Sequence, residues 1–293
     1  MPLLRTMRPK QWVKNLFVLP PLIFAQSLRD PQMLLQAGIA FVVFCALASS
    51  IYLLNDIMDR ERDRLHPLKK FRPIASGELK VGTAVVAMIV VALTALAGSW
   101  YLGLDFLIVA AVYLVINLLY STGLKKVVII DVLIVGMGYV LRVLAGGMAI
   151  DVEVSSWLLL CTIFMALFLT FSKRRHELVL LDESAAAQRE VLGHYSPAFL
   201  DQMMNVVTAS TLMSYALWTT APETTAKFGG ATLVYTVPFV LFGIFRYLYL
   251  TYQVNDERNP TESMLSDLPF LLNLALWGVA VLLILYLVPR ASG

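Results

Sequence analysis

A short run of acidic residues, from Asn55 to Asp63, has the residue types and the spacing of a metal-binding element. Asn55, Asp56, Asp59 and Asp63 follow one another at steps of one, three and four residues. On an α-helix these steps put the carboxylates on one face, where like charges repel unless a cation lies between them. Oxygen ligands beside a diphosphate are what Mg²⁺ prefers. The pattern therefore predicts a Mg²⁺ site that binds a diphosphate.

Basic residues follow the acidic run in the same connection. Lys69 and Arg72 belong to the sequence Lys-Lys-Phe-Arg-Pro-Ile-Ala-Ser-Gly at positions 69–77 and are candidates to bind phosphate. A second interpretation is a solvated helix end, in which the aspartates pair with the arginines interspersed among them. Because pairing alone does not require the periodic spacing of the aspartates, the metal site is the interpretation that we favour.

The elements that must position this site are membrane-spanning helices. Hydrophobic residues make up 59% of the 293 positions and charged residues 15%, which is outside the balance of a soluble domain. The apolar residues fall into about nine stretches, most of them long enough to cross a hydrocarbon core of ~30 Å as a helix. The expected fold class is an all-α, polytopic membrane protein. The predicted spans are Val13–Ser27, Met33–Ile57, Thr83–Tyr101, Phe106–Tyr120, Val127–Ile150, Ser155–Ser172, Leu200–Thr219, Thr232–Tyr252 and Leu268–Val288.

The distribution of lysine and arginine predicts the orientation of these spans. Most of the bases lie before the first span and in the connections after the second, fourth and sixth spans. Because such bases mark the cytoplasmic side, we expect an integral protein of the inner or plasma membrane with a cytoplasmic N-terminus and active site and a C-terminus on the opposite side. These juxtamembrane bases also explain the net charge of +3, so no nucleic-acid partner is predicted. The sequence leaves the oligomeric state open.

The acidic run and the turn after it resemble the UbiA superfamily of intramembrane prenyltransferases. The matching residues are Asn55-Asp56-x-x-Asp59-x-x-x-Asp63 and the turn Arg-Pro-Ile-Ala-Ser-Gly at positions 72–77, both after the second span. The resemblance covers essentially the whole chain. It implies a single UbiA-like transmembrane domain over residues 1–293, an all-helical bundle of about nine spans, and Mg²⁺ held over a diphosphate.

The connection after the sixth span departs from the common pattern of that superfamily. Where most members carry a second aspartate-rich motif, this chain has Lys173, Arg174 and Arg175. A basic cluster suits a second anion that is bound directly by charge-assisted hydrogen bonds. One acidic and one basic cluster together favour a sugar diphosphate donor and a lipid monophosphate acceptor. Anchoring of the span at the membrane surface is the structural alternative for these bases.

These features resemble one branch of the superfamily, the polyprenyl-phosphate phosphoribosyltransferases, through residues 8–15, 120–131 and 172–178. The resemblance implies transfer of a 5-phosphoribosyl group from phosphoribosyl diphosphate to a polyprenyl (decaprenyl) phosphate. Asp56, Asp59 and Asp63 would then be the catalytic, metal-binding residues. The residues implied to bind the two substrates are Lys14, Asn55, Lys69, Arg72, Tyr120, Lys125, Lys126, Asp131, Lys173, Arg174 and Arg175.

Two other functions stay open at this point. A UbiA-type prenyltransferase would move a prenyl group from its diphosphate to an aromatic acceptor, although the sequence lacks the second acidic motif. A transporter or lipid-binding protein would also carry polar residues inside its spans, although the aspartates are predicted at a membrane edge and not at the midplane. Arg142 and Arg246, which fall inside predicted spans, are expected to pair with acids in structural roles.

Overall fold

Helices form all the regular secondary structure in residues 1–66, 69–181, 190–228, 230–253 and 260–287, the residues that the computed structural model describes. Seven helices among these residues are long and apolar enough to cross a membrane. The all-α, polytopic membrane fold is therefore confirmed. By its internal contacts the chain divides into two compact units, Met1–Val154 and Ser155–Gly293. The single domain over residues 1–293 stays a prediction.

The first unit consists of an N-terminal 3₁₀ segment and a series of α-helices. Short 3₁₀ turns follow two of the helices, at Lys69–Phe71 and Leu124–Lys126. In chain order the elements are α1 (Pro2–Met7), the N-terminal 3₁₀ segment (Pro9–Val18), α2 (Pro20–Phe24), α3 (Pro31–Met58), α4 (Arg60–Leu65), α5 (Val81–Tyr101), α6 (Leu104–Thr122) and α7 (Ile130–Ala149).

Helix α3 carries the start of the acidic run, and its own start is set by a proline and a cap. Pro31 occupies the first turn, where a backbone N–H has no partner within the helix. The Asp30 side chain accepts hydrogen bonds from the backbone N–H groups of Gln32 at 2.8 Å and Met33 at 3.2 Å. The helix then continues without interruption to Met58, so its last turn holds the first two residues of the motif.

The first predicted span, Val13–Ser27, is wrong as a continuous helix. The N-terminal 3₁₀ segment ends at Val18, and α2 extends only from Pro20 to Phe24. The prolines at positions 9, 20 and 21 explain the interruptions, because proline lacks the N–H donor that a helix interior needs.

Polar contacts hold the N-terminal 3₁₀ segment against α3. The Trp12 indole N–H donates to Ser49 Oγ at 3.1 Å, and the Asn15 amide donates to Cys45 Sγ at 3.3 Å. On its other side the segment touches α7 at Gly146, where an added Cβ would stand 1.9 Å from the carbonyl oxygen of Val18. The backbones approach this closely only because position 146 has no side chain.

Aromatic residues build the core of the first unit between α3, α6 and α7. Phe44 is fully buried and packs edge-on against Phe106, with ring centroids 6.0 Å apart, and against Tyr113, with centroids 5.3 Å apart. Edge-to-face pairs of this kind add to the stabilisation that burial itself gives. The same core includes Val18, which joins the N-terminal 3₁₀ segment to it.

The second unit is also helical. Its 3₁₀ turns lie at Glu190–His194 and Ala231–Thr236. Its α-helices are α8 (Ser156–Leu181), α9 (Pro197–Thr220), α10 (Pro222–Phe228), α11 (Val237–Tyr252), α12 (Pro260–Ser266) and α13 (Leu268–Leu287).

Two elements of the second unit differ from the sequence prediction. Helix α9 contains the predicted span Leu200–Thr219 but is not among the seven described helices apolar enough to cross a membrane, because polar residues such as Asp201 and Asn205 recur along it. Together with the first stretch, it accounts for the difference from about nine spans. Helix α8 continues to Leu181, past the predicted end at Ser172. No glycine or proline interrupts residues 173–181, and their lysine, arginine, glutamate and leucine favour a helix.

Replacing Gly146 with alanine is expected to destabilise the protein. The new Cβ would meet a backbone oxygen of the N-terminal 3₁₀ segment, which cannot move aside without leaving α7. Overpacking of this kind costs about 1–3 kcal/mol, so the Tm of the detergent-purified protein should fall by several degrees. Gly38→Ala on α3 is the matched control, since nothing lies within 4 Å of its added Cβ. An unchanged or higher Tm for Gly146→Ala would contradict the close approach.

Candidate active site

The predicted metal-binding residues lie where α3 passes into α4. Asn55 and Asp56 are in the last turn of α3, Asp59 separates the two helices, and Asp63 is in α4. The backbone N–H of Asp59 donates to the carbonyl of Asn55, and that of Asp63 donates to the carbonyl of Asp59, each at 2.8 Å. These bonds have the spacing of an α-helix. The helical register of the motif is thus maintained across the junction.

Arginine brings two carboxylates of the motif together. Arg72 Nη1 donates to Asp56 Oδ1 at 3.2 Å and to Asp63 Oδ2 at 2.7 Å. Arg8 also donates to Asp56. The side chains of Asp56 and Asp63 are only 2% and 4% exposed. Because burying a carboxylate is costly unless it is paired, the two arginines stabilise this arrangement.

Two of the arginines interspersed in the motif, Arg60 and Arg64, pair with Glu61 and not with the aspartates. Arg60 and Arg64 lie 3.6 Å and 3.2 Å from the Glu61 carboxylate. Arg64 Nε also donates to the carbonyl of Ala75 at 3.2 Å, which ties α4 to the turn that follows it. The buried aspartates therefore receive their cations from outside the helix end, contrary to the solvated-helix-end interpretation.

The end of α6 contributes two further contacts. Ser121 Oγ donates to Asn55 Oδ1 at 2.5 Å, and Lys125 Nζ donates to Asp59 Oδ1 at 3.1 Å. Ser121 is buried in the last turn of α6, and Lys125 lies in the 3₁₀ turn after it. The structure thus places the predicted residue Lys125 directly on the acidic motif.

These oxygen atoms fit a Mg²⁺ ion whose coordination is completed by phosphate oxygens and water. In the ranges that the structure describes, no three His, Cys, Asp or Glu side chains are grouped closely enough to hold a metal by themselves. Mg²⁺ in phosphate-handling sites usually takes one or two carboxylates and completes its shell with phosphate oxygens and water. Asp56 and Asp63 supply two carboxylates to one position, where the cationic Arg72 Nη1 now lies. Asn55 and Asp59 offer further oxygens next to them in the chain.

Three other predicted substrate-binding residues lie on segments that lead into this site. Lys14 is half-buried in the N-terminal 3₁₀ segment, which begins directly after Arg8. Lys69 begins a 3₁₀ turn three residues before Arg72. Tyr120 lies in the last turn of α6, next to Ser121.

Lys126 and Asp131 differ in their exposure. Lys126 is exposed in the same 3₁₀ turn as Lys125, whereas Asp131 is fully buried in the first turn of α7. Complete burial keeps the Asp131 carboxylate from direct contact with a soluble substrate. Its role in substrate binding stays a prediction.

Arg8 and Ser121 reach the site although the sequence does not single them out for it. Arg8 has a left-handed backbone, with φ 54° and ψ 62°, between α1 and the N-terminal 3₁₀ segment. The sequence signal for this bend is Pro9, because the residue before a proline is disfavoured in a helix. Ser121 is one hydroxyl among several in apolar spans, and nothing in its own neighbourhood indicates Asn55 as its partner.

The basic cluster of the second unit is helical rather than part of a loop. Lys173, Arg174 and Arg175 lie on α8. Arg174 is buried and its Nη1 donates to Glu177 Oε2 at 2.6 Å, whereas the Lys173 side chain is 45% exposed, with Nζ 3.8 Å from Glu177 Oε1. Of the three, Lys173 is the best placed to meet a substrate.

Arg175 of the same cluster belongs to a contact between helices. Its Nε donates to Asp201 Oδ1 on α9 at 2.5 Å, and its guanidinium carbon lies 4.1 Å from the centre of the Tyr252 ring on α11. The Tyr252 hydroxyl donates to the same Asp201 oxygen at 2.7 Å. Arg175 on α8 and Tyr252 on α11 therefore share Asp201 on α9 as acceptor, which joins the three helices.

The prediction for Arg246 is confirmed. Its guanidinium donates to Asp267 through Nε at 3.0 Å and Nη2 at 2.8 Å. These hydrogen bonds lower the pKa of the Asp267 carboxyl. Asp267 also accepts the backbone N–H of Phe270 at 2.8 Å, so the ion pair connects α11 to the first turn of α13.

The expectation that Arg142 pairs with an acid is wrong. Its guanidinium donates to Asn15 Oδ1 at 2.7 Å, to the Gly138 carbonyl at 2.7 Å and to the Tyr113 hydroxyl at 3.0 Å. It also lies within 6 Å of the ring centres of Phe44, Tyr113 and Tyr139, where the ring faces attract a cation. Neutral acceptors and aromatic rings thus stabilise this buried charge.

Known proteins are similar to this chain in sequence and in fold. The sequence profile of the UbiA prenyltransferase family matches residues 17–274. The decaprenyl-phosphate phosphoribosyltransferase of Corynebacterium glutamicum is 37% identical over 294 residues, which cover 98% of this chain and 87% of that protein. The protein of the same name from Mycolicibacterium smegmatis is 39% identical over 220 residues, which cover 74% of this chain and 69% of that protein.

A solved structure shows the same architecture. The structure of a UbiA homolog from Archaeoglobus fulgidus, bound to DMAPP and Mg²⁺, has a TM-score of 0.71 at 18% sequence identity. The match covers 98% of this chain and 100% of that chain. It confirms the UbiA-like helical fold.

Removing Arg72 is expected to change how the protein responds to Mg²⁺. Arg72→Ala leaves Asp56 and Asp63 close together without their shared cation, so the variant should be less stable in chelator than the native protein. Added Mg²⁺ should then raise its Tm by more than it raises that of the native protein, as measured by thermal unfolding in detergent. Arg29→Ala, which removes an exposed guanidinium before α3, is the control. Equal Mg²⁺-dependent shifts in Arg72→Ala and the native protein would count against a metal position between these carboxylates.

Proposed function

The chain belongs to the UbiA prenyltransferase family, and from this premise we propose that it is a Mg²⁺-dependent decaprenyl-phosphate phosphoribosyltransferase. The reaction moves the 5-phosphoribosyl group of phosphoribosyl diphosphate to decaprenyl phosphate and releases diphosphate. The observation that carries the proposal is the near full-length similarity to relatives of that name. The acidic site and the basic helix end support it, because they suit a diphosphate held through metal and a second, directly bound phosphate.

The acidic site is proposed to bind the donor diphosphate. Asn55, Asp56, Asp59 and Asp63 would hold Mg²⁺, which when bound neutralises the charge that develops on the leaving diphosphate. Arg8, Arg72 and Lys125 contact the carboxylates in this structure. When a diphosphate binds, they are within reach to donate charge-assisted hydrogen bonds to its oxygens instead. The three basic side chains would therefore exchange their carboxylate partners for phosphate oxygens, and no further cationic residue would be needed.

The bond changes need little acid–base catalysis. An oxygen of the lipid phosphate forms a bond to C1 of the ribose, while the bond from C1 to the diphosphate oxygen breaks and its electron pair leaves with the diphosphate. The lipid phosphate is already an anion at neutral pH, so no general base has to remove a proton. The work of the protein is to position the two substrates and to stabilise the leaving group.

The remaining predicted residues are assigned by where they lie. Lys14, Lys69, Tyr120 and Lys126 are on segments that lead into the acidic motif, so we assign them to the donor, including its 5-phosphate. Asp131, which is buried, is assigned a supporting role.

The basic cluster of α8 is proposed to serve the acceptor. Lys173 is the exposed member of the cluster and would bind the lipid phosphate. Arg174 and Arg175, through their pairs with Glu177 and Asp201, would fix the helix end that carries it.

We further propose that the whole chain is one domain with its active site on the cytoplasmic side. The family match at 17–274 runs through both compact units, which supports a single domain. The concentration of bases in the N-terminal segment and in the connections after α3, α6 and α8 supports the orientation. A soluble, highly charged donor is also most readily supplied from the cytoplasm.

Transfer is expected to require Mg²⁺ and the aspartates. Native protein incubated with radiolabelled phosphoribosyl diphosphate, decaprenyl phosphate and Mg²⁺ should form a labelled lipid, and EDTA should abolish it. Asp56→Asn and Asp59→Asn should lower kcat by about 10²-fold or more, whereas Asp151→Asn, at an exposed position after α7, should not.

Two results would contradict this proposal. One is near-native turnover by folded Asp56→Asn. The other is the absence of a labelled lipid together with product from a prenyl diphosphate and an aromatic acid, which would establish the prenyltransferase alternative. No turnover of either substrate pair by folded protein would favour a transporter or lipid-binding protein.

Removing the exposed lysine of α8 is expected to affect the acceptor selectively. Lys173→Ala should raise the KM for decaprenyl phosphate by about tenfold or more, since a hydrogen bond to a charged group contributes ~1.5–3 kcal/mol. The KM for the donor should change little. Lys227→Ala, which removes an exposed lysine from α10 of the same unit, is the control. A larger effect on the donor KM than on the acceptor KM would reverse the assignment of Lys173.

A further inference from the structure

An apolar cavity of about 150 Å³ lies within the second unit. Its walls come from α8, α11 and α13, with Leu169, Gly243, Phe270 and Trp277 among the residues that line it. Leu274 forms part of its rim and is 45% exposed, so the cavity reaches the surface of the unit. Apolar cavities of about this size exclude water and accept a guest with the dimensions of benzene.

The cavity lies next to the basic end of α8. Met165, Leu169 and Lys173 follow one another at steps of four residues, which places them on one face of the helix. The first two line the cavity, and Lys173 follows Leu169 by about 6 Å along the helix axis. A chain seated against Leu169 would therefore have its head group beside Lys173.

Polar contacts lie next to the cavity on the side of the basic cluster. Tyr247 lines the cavity and donates through its hydroxyl to Ser172 Oγ at 3.0 Å. The Arg246–Asp267 ion pair lies one residue along α11 from Tyr247. An apolar wall that ends in a polar layer with a lysine suits a ligand with an apolar chain and an anionic head.

Gly243 lies in the cavity wall, where α11 and α13 approach each other closely. A Cβ at this position would meet Asn273 Nδ2 at 3.3 Å and Phe270 Cε2 at 3.9 Å, and both residues are cavity walls. One isoprenoid unit, with five carbons, is close in size to a benzene ring.

We propose that this cavity holds the first isoprenoid unit of the lipid acceptor, with its phosphate at Lys173. The inference rests on the proposed function and extends it, because it assigns a place to the chain and not only to the reacting phosphate. The units farther from the phosphate stay in the bilayer. A phospholipid acyl chain has related chemistry, but its phosphodiester carries less charge for Lys173 to recognise than a phosphate monoester does.

Photo-crosslinking tests the proposal without requiring turnover. Full-length protein in detergent is irradiated with a polyprenyl phosphate that carries a diazirine on its first isoprenoid unit, and the labelled peptides are identified by mass spectrometry. We expect label on the peptides around Leu169 and around Trp277, and competition by unmodified decaprenyl phosphate but not by phosphatidylglycerol. Equal competition by phosphatidylglycerol would overturn the proposal, since the cavity would then be a general lipid site. Label confined to peptides of the first compact unit of the protein, Met1–Val154, would overturn the proposal as well.

A pair of glycine substitutions supplies the matched control. Gly243→Leu fills the cavity and should reduce the labelling about tenfold and raise the acceptor KM to a similar extent, with the donor KM unchanged. Gly278→Leu on α13, where nothing lies within 4 Å of an added Cβ, should leave the labelling and the acceptor KM at native values. Native labelling in folded Gly243→Leu would overturn the proposal. If that variant does not fold, the labelling pattern of the native protein decides.

The two proposals fail in distinguishable ways. Selective labelling of the cavity without formation of a phosphoribosyl lipid would remove the proposed function and leave the binding site. Formation of the phosphoribosyl lipid without selective labelling would remove the cavity assignment and leave the function.

Discussion

The burial of Asp56 and Asp63 at the junction of the membrane helix α3 with α4 is the constraint on which the first unit depends. Carboxylates in such a place must be given cations. One cation, Arg8, comes from the bend after α1, and another, Arg72, comes from the turn after α4. Lys125 extends the same pairing to Asp59 from the end of α6. The ends of several helices are therefore held at one place by charge, and the same cations are available to the diphosphate that this site is proposed to bind.

The sequence predicts that the acidic residues lie close together, because Asn55 to Asp63 are neighbours in the chain and their spacing alone fixes a common helical face. It does not predict the contacts of Arg8 or Ser121, which lie 48 and 66 residues from their partners. Only tertiary packing determines such pairs. The exposure that distinguishes Lys173 from Arg174 is likewise absent from the sequence, since both are simply bases at the end of a span.

Hydropathy predicts the fold class reliably and the individual elements less well. It does not show that prolines divide the first apolar stretch into a 3₁₀ segment and a short helix. It also predicts α9 as a span, although Asp201 on that helix accepts hydrogen bonds from Arg175 and Tyr252. Arg142 is a third case, since a buried guanidinium suggests a buried acid, yet amide, carbonyl, hydroxyl and ring faces together are sufficient.

The unbroken course of α8 from Met165 through Lys173 has a consequence for how such a protein can vary. If the segment between Leu169 and Lys173 were a loop, an inserted residue would only increase the distance from the cavity to the Lys173 ammonium group. In a helix, one inserted residue turns everything beyond it by about 100°, which would swing the lysine off the face that it shares with Leu169. Changes of nearly a whole turn would keep the lysine in phase and shift its depth instead. Related sequences in which α8 is longer or shorter should therefore differ in steps of three or four residues at this place.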